Sequence, residues 1–358
     1  MKLRLRAPLE IQFEITSKCN HRCEYCYYYG NRQSDQENFD EQVFCQTLEK
    51  IIEQDIFYLV LTGGEPLLVK DRLYLTIEKL KKKNIEVSLN TNLSLFDEED
   101  ISLFQYLNNV LISIPSYKEK DYNKITHSSN YKKVLKNIEK IVGKVPLGVH
   151  MVVIKNNFKD VYETGRFFFK NFNIDSFFAT PINPTNKKHI DIMPNKEEIQ
   201  EILDQLNTLR IEFQKDVGTL TCLPPCMFNE DYDIKYNGCG IGSTTMTIDY
   251  GGNVKACSLI NKNFGNINRE PFNEVWQKVT TWAFSMIPKE CDFCSTDCGG
   301  GCRSRAYLFY GDYGRPDPLS SPSEIKLKQQ ENLNFDINKV YGLTKIKYRK
   351  EKEDIGES

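Results

Sequence analysis

Cys19-Asn20-His21-Arg22-Cys23-Glu24-Tyr25-Cys26 follows a strand-like run, Leu9 to Thr16, and sets three thiols at positions i, i+4 and i+7. A short loop can converge them on one iron–sulfur cluster. A four-iron cluster takes four thiolates. With three supplied locally one iron is left open, and an open coordination site on a metal is where chemistry happens. A zinc loop, or inert buried cysteines, remain open readings of the trio at this point.

Further along, Tyr58-Leu-Val-Leu-Thr62 reads as a buried strand running into Gly63-Gly64-Glu65-Pro66. Two glycines let backbone approach a ligand, and Glu65 offers an acceptor for an ammonium group. Together, in this order and at this separation, Cys19/Cys23/Cys26 and the Gly-Gly-Glu-Pro turn resemble the radical S-adenosylmethionine (SAM) enzymes. The resemblance implies that the open iron chelates the amino and carboxylate groups of SAM and that Gly63, Gly64, Glu65 and Pro66 form the turn that binds its amino group. It also implies that Tyr25, the aromatic residue before the third cysteine, lies against the adenine.

Composition agrees with an intracellular enzyme. The chain has 358 residues, 40% of them apolar and 27% charged, enough for more than one domain and a substantial core. A net charge of −2 gives no reason to expect a nucleic-acid partner. No run reaches membrane-spanning length, and Met1 to Arg6 has no apolar core of signal-peptide length. Of the 12 cysteines, three sit at 19 to 26 and eight between 222 and 302. Such clusters, without an export signal, read as metal ligands in a reducing cytoplasm rather than as disulfides. Cys45, alone on an expected helix, reads as core.

From residue 9 to 183, strands and helices alternate. The expected strands are Leu9 to Thr16, Phe57 to Thr62, Ile85 to Asn90, Asn109 to Ile114, Leu147 to Ile154 and Ser176 to Pro181. Helix signals lie between them, with Asp40, Asp71 and Asp97 ahead of apolar residues at helical spacing, and Asn130 to Ile141 and Lys159 to Phe172 completing the series. Six units predict a parallel sheet with right-handed crossovers. Six rather than eight make a partial (β/α)6 TIM-like barrel in the α/β class, the fold the resemblance implies. Barrel enzymes place chemistry at the C-terminal ends of strands, and both motifs fall there, after strands one and two.

The same rule nominates Asn92, in Asn90-Thr91-Asn92 after strand three, and Ser113 with Ser116 after strand four, where relatives contact the ribose and carboxylate of SAM. Asn92 is equally a common turn residue. His150 on strand five either meets substrate or is a packed, hydrogen-bonded histidine. Lys79 to Lys83 suits a helix C-terminus and reads as a solvated face. Asn195, with Glu198 three residues on, caps an amphipathic helix whose stripe is Ile199, Ile202, Leu203, Leu206, Leu209 and Phe213. After Asp216 and Gly218 the composition shifts to cysteine, glycine and proline, which sets domain limits of 9–218 and 219–320.

The second region resembles SPASM, the C-terminal cysteine-rich iron–sulfur domain appended to many radical enzymes that modify peptides. The shared features are Cys239, Gly252 before Cys257, the Gly265-Asn266-Ile267 turn, Cys291 and Cys294, and Cys298-Gly-Gly-Gly-Cys302-Arg303 leading to Gly311-Asp312 and Asp317-Pro318. By that resemblance Cys239, Cys257, Cys302 and either Cys222 or Cys226 hold a first auxiliary four-iron cluster. Cys291, Cys294 and Cys298 belong to a second. The cysteine that relatives place after Asp-Pro is missing, with Ser320 in its place. The second cluster then has an open iron, or takes Cys222 or Cys226 by crossover, or uses Asp297 or Ser320; eight cysteines favour crossover. Cys291-x-x-Cys294 also has zinc spacing. Residues 321–358 read as a charged helical segment and a tail.

The resemblance implies an external one-electron donor of flavodoxin or ferredoxin type, a 5′-deoxyadenosyl radical, and a ribosomally made peptide or protein as substrate. About eight residues precede the first strand, so a separate protein would supply recognition of a leader peptide. The alternatives are a relative acting on a tetrapyrrole or other small molecule, a sulfatase-activating enzyme, or a non-catalytic iron–sulfur protein. Against the last, an electron carrier has no use for an amino-acid-binding turn.

Overall fold

The computed structural model describes residues 4–28, 39–81, 83, 85–229, 231–236, 238–288 and 299–320. Its strands are β1 Glu10–Thr16, β2 Tyr58–Gly63, β3 Glu86–Thr91, β4 Asn109–Ser113, β5 Leu147–Val153, β6 Ser176–Pro181, β7 Asp216–Thr219, β8 Lys235–Tyr236, β9 Thr245–Asp249 and β10 Val254–Lys255. The helices are α1 Glu41–Ile52, α2 Lys70–Leu80, α3 Ile101–Phe104, α4 Glu119–Thr126, α5 Tyr131–Ile141, α6 Val161–Phe172, α7 Lys187–Ile192, α8 Lys196–Phe213, α9 Phe272–Ser285 and α10 Arg303–Tyr310.

All ten strands form one sheet in the order β10-β9-β1-β2-β3-β4-β5-β6-β7-β8. Every pairing from β9 to β8 is parallel, and β10 alone runs against β9. The six expected strands are therefore present and consecutive, and the fold is the expected open barrel. Two additions lie outside that expectation. β7 and β8 extend the sheet past β6, and β9 pairs with the free side of β1, Glu10 opposite Thr245 through Glu14 opposite Asp249. The chain after 218 thus contributes to both margins of the barrel sheet.

Alternation along the strands sets the layers. Ile11, Phe13 and Ile15 of β1, Leu59 and Leu61 of β2, Val110 and Ile112 of β4, and Val149, Met151 and Val153 of β5 are essentially inaccessible to solvent. A two-residue period puts them on one face, against the helices. Each such Ile or Leu contributes roughly 1.5–3 kcal/mol by burial. The opposite, concave face carries Glu10, Gln12, Glu14, Thr62, Ser88, Asn90, Ser113, His150 and Thr180, with Val60 and Leu111 among them. A closed eight-stranded barrel fills its interior with branched apolar side chains. Here polar side chains share that face with Tyr58, Val60, Leu111, Val152 and Phe178.

Helix caps follow the sequence at Asp40 and Asn195, whereas Asp71 lies inside the first turn of α2, whose N-cap is Val69. Asp40 Oδ1 accepts from the Gln42 and Val43 amides at 2.8 and 3.1 Å. Asn195 and Glu198 form a reciprocal capping box, at 2.8 Å to Asn195 Oδ1 and 2.7 Å to Glu198 Oε2. Ile199, Ile202, Leu203, Leu206 and Leu209 are buried beneath α8. No described helix is long and apolar enough to cross a membrane.

Candidate active site

The cysteine loop leaves β1 and is pinned along its length. The amides of Arg22 and Glu24 donate to the carbonyls of Thr126 and Ile125, at 3.1 and 2.9 Å, satisfying the C-terminal end of α4. His21 is buried; its Nε2 accepts from Asn130 Nδ2 at 3.0 Å and its ring meets Tyr122 edge-on. Burial lowers the His21 pKa to about 4, which keeps the ring neutral. The His21 amide donates to Cys19 Sγ at 3.4 Å, and Tyr25 donates to the Cys23 thiol. Burial first, then the nearby Cys26 and Cys19 sulfurs, push the Cys23 thiol far up. Three thiols that close, with hydrogen-bond donors aimed at two of them, suit a cluster whose iron supplies the missing positive charge.

The Gly63-Gly64 turn lies against this loop. Gly63 has φ +124°, and a Cβ there would stand 2.2 Å from the Thr16 carbonyl oxygen; a Cβ on Gly64 would stand 1.9 Å from that of Lys18. The Gly64 and Glu65 amides donate to the same two carbonyls, both at 2.7 Å. The glycines thus admit the backbone leading into Cys19. Glu65 is also engaged. It caps the short turn Pro66–Val69 by accepting from the Leu67 amide at 3.0 Å, and takes Thr91 Oγ1 at 2.6 Å and the Asn92 amide at 2.7 Å. Burial raises its pKa against those three donors.

Asn92 closes the circuit back to the cysteines. Its Nδ2 donates to Asn20 Oδ1 at 2.9 Å, Asn20 Nδ2 donates to Ser94 Oγ at 2.9 Å, and Asn92 Oδ1 accepts from the Ser94 amide and hydroxyl. Leu93 between them has φ +59°, a left-handed backbone held by Asn137 Nδ2 on its carbonyl. Ser113, at the end of β4, is half-buried and in register with His150 of β5. Ser116 is buried and accepts from the Lys118 amide at 3.1 Å. His150 Nε2 is buried with no hydrogen-bond partner among the described residues, and desolvation lowers its pKa to about 4.

Four cysteines from four separate segments meet at the second locus. Cys222 lies within hydrogen-bonding reach of Cys239 and Cys302, and Cys257 feels the sulfurs of Cys302 and Cys239. The Cys222 thiol is raised by these contacts and by burial; Cys302 is lowered, chiefly because Cys222 donates to it. Of the two residues the sequence left open, Cys222 joins this group, and Cys226 sits on the turn Pro225–Met227. Arg305, which the motif reading passed over, braces the group: it pairs with Asp317, donates to Asn183 Oδ1 at 2.6 Å and to the Cys222 carbonyl at 3.0 Å. The only earlier signal for Arg305 was its place two residues past Arg303. Ser320 Oγ donates to the Asp317 carbonyl at 2.6 Å. Cys291, Cys294, Asp297 and Cys298 lie outside the described residues, as do 321–358.

A family profile described as the Radical SAM superfamily matches residues 13–168. A probable GTP 3′,8-cyclase of Methanococcus maripaludis is 31% identical over 205 residues, 55% of this chain and 68% of its own length. The chain belongs to the radical SAM superfamily. A second profile, described as an iron–sulfur cluster-binding domain and named SPASM, matches residues 239–299. A probable GTP 3′,8-cyclase of Methanococcus vannielii is 26% identical over 293 residues, 80% of this chain and 96% of its own. SuiB of Streptococcus suis, solved with SAM bound, shares the fold at a TM-score of 0.70 and 16% identity, over 88% of this chain and 77% of its own. Native anSMEcpe with bound AdoMet gives 0.63 and 17%, over 89% and 95%. As a radical SAM protein with a SPASM domain, the chain carries four-iron clusters and SAM as cofactors.

Proposed function

We propose that this enzyme modifies a ribosomally made peptide or protein, by crosslinking, thioether formation, epimerisation or oxidation. When bound, SAM and a reduced cluster would supply the radical chemistry needed to remove a hydrogen atom from an unactivated carbon. Cys19, Cys23 and Cys26 hold that cluster. Gly63, Gly64, Glu65, Pro66, Tyr25, Asn92 and Ser113 shape the SAM site, several of them by fixing the loop as much as by contact. Cys222, Cys239, Cys257 and Cys302 hold the first auxiliary cluster, and Cys226 crosses to complete the second with Cys291, Cys294 and Cys298. An external one-electron donor and, for a leader-bearing substrate, a separate recognition protein are the partners of this reading.

One observation carries it: the segment around Cys257 is laced to the concave face of β1, the strand that delivers Cys19. Lys255 Nζ donates to Glu14 Oε2 at 3.0 Å, and Ser258 Oγ to Gln12 Oε1 at 3.4 Å. In this reading radical formation and a second redox centre lie on either side of β1, which suits an oxidation in which both centres face the substrate. The peptide class is supported by two fold neighbours that span barrel and C-terminal region and were solved with peptides, SuiB with precursor peptide SuiA and anSMEcpe with a Cp18Cys peptide. The names of the sequence relatives favour a second reading, a nucleotide or other small molecule. Incubating the reconstituted enzyme, dithionite and SAM with short peptides encoded beside its gene, and separately with GTP, decides between them. A mass change in a peptide is the expected result. Consumption of GTP with every peptide unchanged would overturn the proposal.

A further inference from the structure

Glu24 lies between the second and third cysteines of the loop, and two separate helices grip it. At the C-terminal end of α4, its amide donates to the Ile125 carbonyl at 2.9 Å and its Oε1 stands 3.7 Å from His127 Nε2. From the other side comes His189, a buried residue of α7 within hydrogen-bonding reach of the Glu24 backbone. The ring of His189 has a defined tautomer. Its Nδ1 lies 3.4 Å from the Thr185 amide nitrogen and 3.2 Å from Thr185 Oγ1. A backbone amide can only donate, so Nδ1 accepts and the ring proton resides on Nε2. The Glu24 contact favours the protonated ring, as a carbonyl acceptor does, so Nε2–H donates to the Glu24 carbonyl. Desolvation outweighs that contact and lowers the His189 pKa, which keeps the ring neutral. The base of this bond is fixed. Asn186 Oδ1 accepts the His189 amide at 3.0 Å, the Ile192 carbonyl accepts the Lys155 amide at 2.9 Å, and Asn183 takes Arg305 Nη1 at 2.6 Å. The stretch from Asn183 to His189 therefore runs from the Arg305 brace of the Cys222 group to the Cys19–Cys26 loop.

We propose that His189 is a positioning residue for the radical cluster: its Nε2–H holds the Glu24–Tyr25 peptide and so fixes Cys23, Tyr25 and Cys26 relative to Cys19. It acts through the Glu24 backbone, as the outer support that keeps a ligand loop in its working geometry. With α4 on the amide and α7 on the carbonyl, the peptide groups of Glu24 cannot turn without breaking a bond on one side. This goes beyond the peptide reading, since it concerns the loop alone and holds for any substrate class.

The test compares His189→Gln with His189→Asn in the full, anaerobically reconstituted protein. Gln carries an N–H near the place of Nε2, whereas the shorter Asn carries one only near the place of Nδ1. Both are uncharged amides, so any general effect of the replacement on folding falls on both. Iron loss to a chelator is followed by the EPR spectrum of dithionite-reduced samples; the part that changes on adding SAM reports the loop, and the rest reports the auxiliary iron. His189→Asn is expected to lose loop iron about tenfold faster than wild type, the size of one hydrogen bond left unmade, with auxiliary iron leaving at the wild-type rate. His189→Gln recovers most of that loss. Loop iron kept at the wild-type rate by His189→Asn, equal acceleration in the two variants, or equal acceleration at the two loci would overturn the proposal.

Discussion

Arg305 and Asp317 form a two-pronged ion pair, 2.9 Å from Nε to Oδ1 and 2.8 Å from Nη2 to Oδ2, with neither side chain exposed. The pair does more than neutralise itself. Asp317 Oδ2 also accepts the Cys302 amide at 2.7 Å, and Arg305 reaches the Cys222 carbonyl and Asn183 just past β6. One guanidinium thus ties two cysteine-bearing segments to the barrel. Removing one partner of a buried pair costs about 3–5 kcal/mol because the other charge is left stranded. Asp317→Ala is expected to lower the urea midpoint accordingly, and Arg305→Lys, which cannot fork, to recover only part of the loss.

Gly64→Ala tests the contact between the glycine turn and the cysteine loop. A methyl 1.9 Å from the Lys18 carbonyl oxygen has nowhere to go without moving residues 16–18, and Cys19 with them. SAM cleavage should fall by at least about tenfold, the loss expected when a reacting group is displaced by a fraction of an ångström. Circular dichroism should still report the fold. Gly251→Ala, where the nearest atoms are 3.4 and 3.5 Å away, should behave as wild type.

Asn20→Ala breaks the link from the loop to β3. It leaves Asn92 Nδ2 and Ser94 Oγ short of a partner, a loss on the order of 1–3 kcal/mol confined to that corner. Iron should leave the loop faster when a chelator is added to the reconstituted protein, while the auxiliary iron leaves at the wild-type rate. Equal rates at both loci would show that the network does not hold the loop.

Two half-buried groups on the concave face give opposite pH dependences. Desolvation lowers the His150 pKa from 6.5 to about 4, so between those values the unfolded chain binds a proton the folded chain refuses, and stability rises with pH. Desolvation raises the Glu10 pKa from 4.5 to about 7, against a hydrogen bond from Gln12, so there the folded chain holds the proton and stability falls as pH rises. The two offset one another from about pH 4.5 to 6.5. In urea titrations across that window, Glu10→Gln should steepen the rise of stability with pH relative to wild type, and His150→Leu should shift the slope the other way.

Much of this was legible in the sequence because it depends on short-range signals. The six barrel strands have apolar outer residues at a two-residue period, and their ends agree with the structure to about a residue. The capping residues Asp40 and Asn195 are equally local. What escaped was set by tertiary pairing. β7 has four residues and β8 two, below the length at which a pattern can show. β9 is ordinary in length, but its parallel partner β1 lies more than two hundred residues away. The protein bonds that hold Glu65 were hidden for a related reason: the donors Thr91 and Asn92 come from the next strand, so the motif alone could not show them. Spacing alone could not place Cys222 beside Cys239 and Cys302, because that neighbourhood is made by the meeting of separate segments.

The most direct test of the account is 5′-deoxyadenosine release by anaerobically reconstituted wild-type protein and by the triple variant Cys19→Ala, Cys23→Ala, Cys26→Ala, each with dithionite and SAM. Release by the wild type, with none from a triple variant that still retains its auxiliary iron, is the predicted result. No release by the wild type, or equal release by both, would contradict the assignment of radical chemistry to the Cys19–Cys26 loop.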